Sequence, residues 1–118
     1  MREAQRASPE ECCGLLLGPE GLIERAVASA NVAADRRRHF EIDPQALVDA
    51  HRSERGGGPK VVGYYHSHPN GPSEPSATDR AQASRDGRVW AIAGSDGIAF
   101  WRDGEQGFER LSCESFDG

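Results

Sequence analysis

Residues 63–79 read GYYHSHPNGPSEPSATD. With Lys60, Val61 and Val62 ahead of it, the stretch begins as a β-prone apolar run, KVVGYYHS, and Pro69 ends that run by removing a backbone donor. A Gly/Pro/Ser-rich loop follows. Ser76 then reads as a helix N-cap with Asp79 three residues on, the spacing of a capping box, and the helix is predicted through ATDRAQASR to a stop near Gly87. Strand, loop and helix in that order, with the apolar run RVWAIAG next, interleave helix with strand as an α/β or α+β domain with a mixed sheet does. Side chains two apart on a strand share a face, so His66 and His68 point the same way at its carboxyl end.

Two neutral imidazoles and one carboxylate suit Zn2+, and three protein ligands leave a fourth tetrahedral position open, as a catalytic site requires. Each residue alone has a plainer explanation. Asp79 is a helix-start acid favoured by the cap and the dipole, and His-x-His pairs occur by chance on surface strands. The combination points to a metal. A hydrolytic site also needs a general base, and SPEECCGLLLG at 8–18 offers Glu10 and Glu11 ahead of an apolar strand. Side-chain chemistry does not choose between them.

Outward from this centre, short apolar runs bounded by Gly, Pro and Asp predict strands at CCGLLLG (12–18), LIERAVASANV (22–32), HFEI (39–42), KVVGYYHS (60–67), RVWAIAG (88–94), GIAFWR (97–102) and FERLSC (108–113). A first helix is predicted from Asp43 as N-cap and Pro44 at its first position, through ALVDAHRSE, until GGGP at 56–59 ends it. The pattern is an α/β (α+β) domain, a mixed β-sheet flanked by helices, occupying 1–118 as one unit. GGGP and NGPSEP (70–75) are its flexible-looking loops.

The chain carries 14 basic and 19 acidic residues, a formal net charge of -5, and its one dense basic cluster is Arg36, Arg37 and Arg38. Phosphate binding demands a broad positive face, so no nucleic-acid partner is expected. Three cysteines, Cys12, Cys13 and Cys113, are an odd number with an adjacent pair ill-placed to bridge, which fits a reducing cytoplasm. No apolar run approaches the roughly 20 residues that span a bilayer. The start, MREAQRASPEE, lacks the apolar core of a signal peptide, so no membrane association and a cytoplasmic location are expected.

Taken together, Pro9, Glu11, Cys13 and Gly14 in a P-x-E-x-C-G context, HSHP at 66–69, and PSATD at 75–79 with ten residues between His68 and Asp79, resemble the JAMM motif of MPN-domain metalloproteases. The resemblance also takes in HFEIDP, VWAIAG and GIAFWR, and so nearly the whole chain. It implies an MPN/JAB-like fold, related to the cytidine-deaminase-like architecture, and one zinc per chain held by His66, His68 and Asp79. It implies Glu11 as general base toward an attacking water and Ser76 as a donor to the developing oxyanion. Cys13 reads as a small buried thiol, and His39 and His51 as structural. A zinc nucleoside deaminase would need a P-C-x-x-C element, which the sequence does not contain.

The chain is too short for the insertions of family members that act on linked eukaryotic ubiquitin. The resemblance is to the compact bacterial branch, which implies as substrate the C-terminal Gly-Gly tail of a ubiquitin-like or sulfur-carrier protein. The competing expectation is a non-catalytic MPN-fold scaffold. Silent relatives usually lack a metal ligand, whereas this chain keeps all three with Glu11 and Ser76. Family members usually carry a strand and more of a helix before the glutamate element. Here eight residues precede Pro9, so either the start is misassigned or another subunit covers the missing edge, as in a homodimer.

Overall fold

The run at 60–67 is the third strand of a sheet whose other members flank it on both sides in a computed structural model that describes residues 12–19, 22–34, 40–69 and 71–111. In chain order the elements are β1 (Cys13–Gly18), β2 (Arg25–Ser29), α1 (Pro44–Arg55), β3 (Lys60–Ser67), α2 (Ala77–Gln82), β4 (Val89–Gly94), β5 (Gly97–Gly104) and β6 (Gly107–Leu111). The spatial order is β2-β1-β3-β4-β5-β6. Among the described strands only β3 and β4 pair in parallel; the others are antiparallel to their neighbours. Parallel neighbours cannot be joined by a tight turn, so the chain must leave the sheet between them. The loop after β3 and helix α2 make that excursion, which puts this connection at the carboxyl end of β3. The mixed sheet with two helices is the α+β architecture the sequence predicts, and no described helix is long and apolar enough to cross a membrane.

The β1–β3 register shifts by one residue: Leu16 pairs with Gly63, but Leu17 pairs with Val61, leaving Val62 extra on β3. A bulge of this kind inverts the alternation of side chains beyond it. Val61 therefore shares a face with Tyr64 and His66 instead of with Tyr65. That face carries Cys13, Leu15, Leu17, Val61 and Trp90, with Phe40 and Ile42 against it. Ala46, Leu47 and Ala50 of α1 pack there too. On the opposite face Cys12, Leu16, Tyr65, Ala91 and Phe100 form a second buried cluster.

Helix α1 begins as predicted: Asp43 Oδ1 accepts the N–H of Gln45 at 3.1 Å, and Pro44 occupies the first turn, where a missing donor costs nothing. Three other expectations need correction. The described part of HFEI, residues 40–42, forms no strand; Ile42 makes one isolated bridge to Asn31, whose side-chain oxygen takes the N–H groups of Glu41 (3.0 Å) and Ala33 (3.1 Å) in place of a ladder. LIERAVASANV contracts to β2. Helix α2 stops at Gln82 instead of continuing toward Gly87. The cause of this early stop is tertiary: buried Asp103 on β5 accepts the Arg85 N–H at Oδ2 (3.0 Å) and the Gly87 N–H at its carbonyl (2.8 Å). The chain is drawn out of the helix, with Ala83 extended and Arg85 at a φ of 57°. Cys113, Arg36 to Arg38 and His39 lie outside the described residues.

Gly63 pairs with Val89 of β4, and a Cβ there would overlap the Val89 carbonyl. Because the obstruction is backbone, Gly63→Ala is expected to cost at least the roughly 1–3 kcal/mol of an overpacked core. Chemical denaturation checks this, and an unchanged midpoint would contradict the strand contact.

Candidate metal centre

The site is assembled by the way β3 ends. His66 is fully buried one residue before the end of the strand, opposite Cys13 on β1 and Ile92 on β4. Ser67, pointing to the other face, fastens β1: its N–H donates to the Cys12 carbonyl at 3.0 Å, and its hydroxyl accepts the Cys12 N–H at 2.9 Å. His68 stays on the β4 ladder through its N–H to the Ala93 carbonyl at 2.7 Å, so Pro69 releases the chain only after both imidazoles are placed.

The loop that follows reads as flexible in sequence, yet its described residues are pinned to the β4–β5 turn. Ser95 N–H donates to the Gly71 carbonyl and Ser73 N–H to Asp96 Oδ1, both at 2.8 Å, while Trp101 Nε1–H donates to the Ser73 carbonyl at 2.9 Å. The loop lies so close to Gly94 that a Cβ there would overlap the Pro72 and Ser73 backbone. Pro72 is thereby held with its carbonyl 2.8 Å from His68 Nδ1. A carbonyl only accepts, so Nδ1 carries the proton and Nε2 presents its lone pair.

Ser76 then caps α2. Its hydroxyl oxygen accepts the Asp79 N–H at 3.1 Å, and Asp79 Oδ2 accepts the Ser76 N–H at 2.9 Å, completing the predicted capping box. The same Oδ2 lies 3.1 Å from His66 Nε2 and 3.0 Å from His68 Nε2, and the two Nε2 atoms are 3.1 Å apart. Burial alone would raise the Asp79 pKa. The two histidine side chains beside it, the attraction to His66 and the Ser76 N–H overcome it and hold the carboxyl well below the usual carboxylate range. Burial likewise pushes His66 below its ordinary value against the opposing pull of Asp79, which favours the neutral imidazole that binds metals.

Two imidazole nitrogens and a carboxylate oxygen thus form a triangle with edges of 3.0–3.1 Å, a group able to hold a metal ion. Tetrahedral zinc with bonds of about 2.0–2.1 Å separates its ligands by about 3.3 Å, so a shift of a few tenths of an ångström would admit it. The donor set is borderline-soft and anionic by one charge, and it fits zinc. His66, His68 and Asp79 are brought together as the sequence predicts. Ser76 adjoins them, and its O–H proton is left to donate because the oxygen's lone pair serves the cap. Glu11 and Glu10 lie outside the described residues; the described chain begins at the next position, Cys12, fastened to Ser67 between the two histidines. Cys13 is a buried thiol whose Sγ lies 3.7–4.0 Å from the carbonyls of Ser29, Ala30 and Glu41.

Sequence reading missed three contributors: the Pro72 carbonyl, the Gly94 and Trp101 contacts that place it, and Phe40, whose ring stacks on His66 at 4.2 Å between centroids. A backbone carbonyl carries no sequence signature, and HFEI taken as a strand gives no hint that Phe40 reaches the site.

Over residues 1–104 the sequence matches the profile of the prokaryotic homologs of the JAB domain. It is 41% identical over 91 residues to the desampylase of Haloferax volcanii, covering 75% of this chain and 66% of that protein. To the "Probable TtuB-protein conjugate cleaving protease" of Thermus thermophilus it is 35% identical over 94 residues, covering 79% and 62% respectively. The chain spans slightly less than two thirds of the length of these curated relatives. Its fold matches the crystal structure of a JAB1/MPN domain protein from Archaeoglobus fulgidus with a TM-score of 0.61 at 21% identity, over 96% of this chain and 86% of the other. With the family profile matched from residue 1 to residue 104, the chain belongs to the prokaryotic JAB-domain family.

Proposed function

We propose that the chain is a zinc-dependent metallopeptidase or isopeptidase that hydrolyses an amide bond at the C-terminal Gly-Gly tail of a ubiquitin-like or sulfur-carrier protein, working in the cytoplasm with one zinc per chain. The convergence of His66 Nε2, His68 Nε2 and Asp79 Oδ2 within 3.1 Å of one another carries the reading. The two relatives, one named a desampylase and the other a conjugate cleaving protease, support the reaction class and the substrate class.

When bound, the metal supplies Lewis acidity toward a carbonyl oxygen and toward water. The chain's own residues do the rest. His66, His68 and Asp79 would hold the ion, the first two as neutral imidazoles and the third as a carboxylate that also accepts the Ser76 N–H. Glu11 takes a proton from the attacking water and returns it to the departing amine. The Ser76 hydroxyl, oriented by the cap, donates to the oxygen on which negative charge develops. A Gly-Gly tail suits such a site because it brings no side chain against the two histidines and can be gripped through its backbone.

Metal-replete protein is expected to contain about one zinc per chain by elemental analysis. Asp79→Asn keeps an oxygen for the Ser76 N–H, and so the helix cap, but loses the charge. It and His66→Ala should weaken zinc binding by more than the roughly 10–100-fold typical of losing an outer partner of a metal ligand. Full occupancy in both variants at limiting zinc would show the ligand set to be wrong.

Glu11→Gln should retain zinc and lose about a hundredfold or more in turnover, while Glu10→Gln changes little. The assay offers a ubiquitin-like carrier extended beyond its Gly-Gly end, with linked eukaryotic ubiquitin beside it, and reads products by mass spectrometry against a chelator-treated control. Cleavage after Gly-Gly of the carrier and poor cutting of ubiquitin chains are expected. An essential Glu10 with a dispensable Glu11 would overturn the base assignment, and no cleavage of either substrate by zinc-loaded protein would favour a scaffold.

Ser76→Ala should lower turnover more than substrate affinity, in addition to the roughly 1 kcal/mol that a lost N-cap costs in stability. A lowered melting temperature with unchanged turnover would reduce Ser76 to its cap.

A further inference from the structure

The two histidines of the centre are oriented by different means. His68 has the arrangement usual for a metal-binding imidazole, with its second nitrogen donating to a carbonyl. His66 does not: its Nδ1 is fully buried and has no hydrogen-bond partner among the described residues. A ring without that second bond can rotate about its χ2 axis unless packing stops it.

Packing does stop it. Phe40 lies face to face with His66, centroids 4.2 Å apart and planes inclined by 13°. Trp90 closes the side, edge-on to His66 (5.6 Å, 87°) and to Phe40 (5.6 Å, 80°), and is itself backed by Phe108 at 4.9 Å. The Phe40 backbone is held just downstream, where Glu41 N–H donates to Asn31 Oδ1 at 3.0 Å and Asp43 N–H to Ser29 Oγ at 3.1 Å. Two hydrogen bonds, to Ser29 at the end of β2 and to Asn31 just beyond it, thus hold the segment that carries a flat ring against one metal-ligand candidate.

We infer that Phe40 is a positioning residue for the metal: its ring face sets the plane of His66, and hence the direction of the Nε2 lone pair, in place of the missing hydrogen bond to Nδ1. Any side chain that fills the same volume without a flat face leaves His66 free to turn and lowers zinc affinity. This rests on the metal reading above, and the two fail separately. His66→Ala with undiminished zinc binding refutes the ligand set, whereas zinc loss in His66→Ala together with unchanged affinity in the Phe40 variants refutes only the role of Phe40.

The test measures zinc affinity by competition with a chromophoric chelator for Phe40→Leu, Phe40→Met and Phe40→Tyr, with the melting temperature of each metal-free protein. Val61→Ala, a truncation on β3 in the same buried cluster, is the control for general loosening. Leu and Met are expected to weaken zinc about tenfold or more, in the range of lost partners of metal ligands, and Tyr to stay within about threefold of the parent. Val61→Ala should lower the melting temperature without moving zinc affinity. Parent-like affinity in Leu and Met, or an equal loss in Val61→Ala, would overturn the inference. The unmodified zinc-loaded protein gives an answer that needs no variant to fold: NMR should show nuclear Overhauser contacts between the Phe40 and His66 ring protons and upfield-shifted His66 protons, and their absence would overturn it as well.

Discussion

The arrangement depends on one carboxylate oxygen. Asp79 Oδ2 receives the Ser76 N–H at the start of α2 and faces both Nε2 atoms at the end of β3, so a single buried atom joins helix cap and strand terminus. Burial opposes its charge; three polar neighbours within 3.1 Å more than offset that opposition. A carboxylate so placed is stable only if the surrounding groups stay put, and the rest of the fold holds them. The antiparallel β1, fastened at Cys12 to Ser67, fixes one side of β3, and the parallel β4, taking the His68 N–H, fixes the other.

Topology explains why chemistry collects at this end of the sheet. A parallel pair forces the chain out over the carboxyl ends of its strands, and the excursion brings a helix start back toward the strand it left. Here the excursion is short, and its loop is tied to the β4–β5 turn through Ser95, Asp96 and Trp101. The central strands of the sheet thus position the loop, the loop positions His68 through Pro72, and the helix cap positions Asp79. Each ligand candidate is held by a different device, so they can converge without any one of them being strained into place.

Much of this is legible in the sequence where the determinant is local. The His-x-His spacing before a proline, the Ser76 to Asp79 capping box and the Asp43-Pro44 helix start each act within four residues, and each appears as read. The failures are tertiary. Nothing in KVVGYYHS announces the extra residue at Val62 that moves Val61 onto the face of Tyr64 and His66. ATDRAQASR has helical character to its end, but buried Asp103, 18 residues beyond Arg85, claims the backbone of Arg85 and Gly87. HFEI has strand composition, yet the Asn31 side chain takes the Glu41 donor that a strand would have used. The NGPSEP loop looks mobile because glycine, proline and serine are common in mobile loops; its anchors come from residues more than twenty positions away.

The central claim is that two imidazoles and one carboxylate, and neither of the adjacent thiols, hold a zinc ion at the end of β3. Zinc K-edge X-ray absorption on the metal-loaded protein tests it most directly. The account predicts a first shell of nitrogen and oxygen at about 2.0–2.1 Å, with the outer scattering of two imidazoles. A sulfur contribution at about 2.3 Å would place Cys12 or Cys13 on the metal and contradict it.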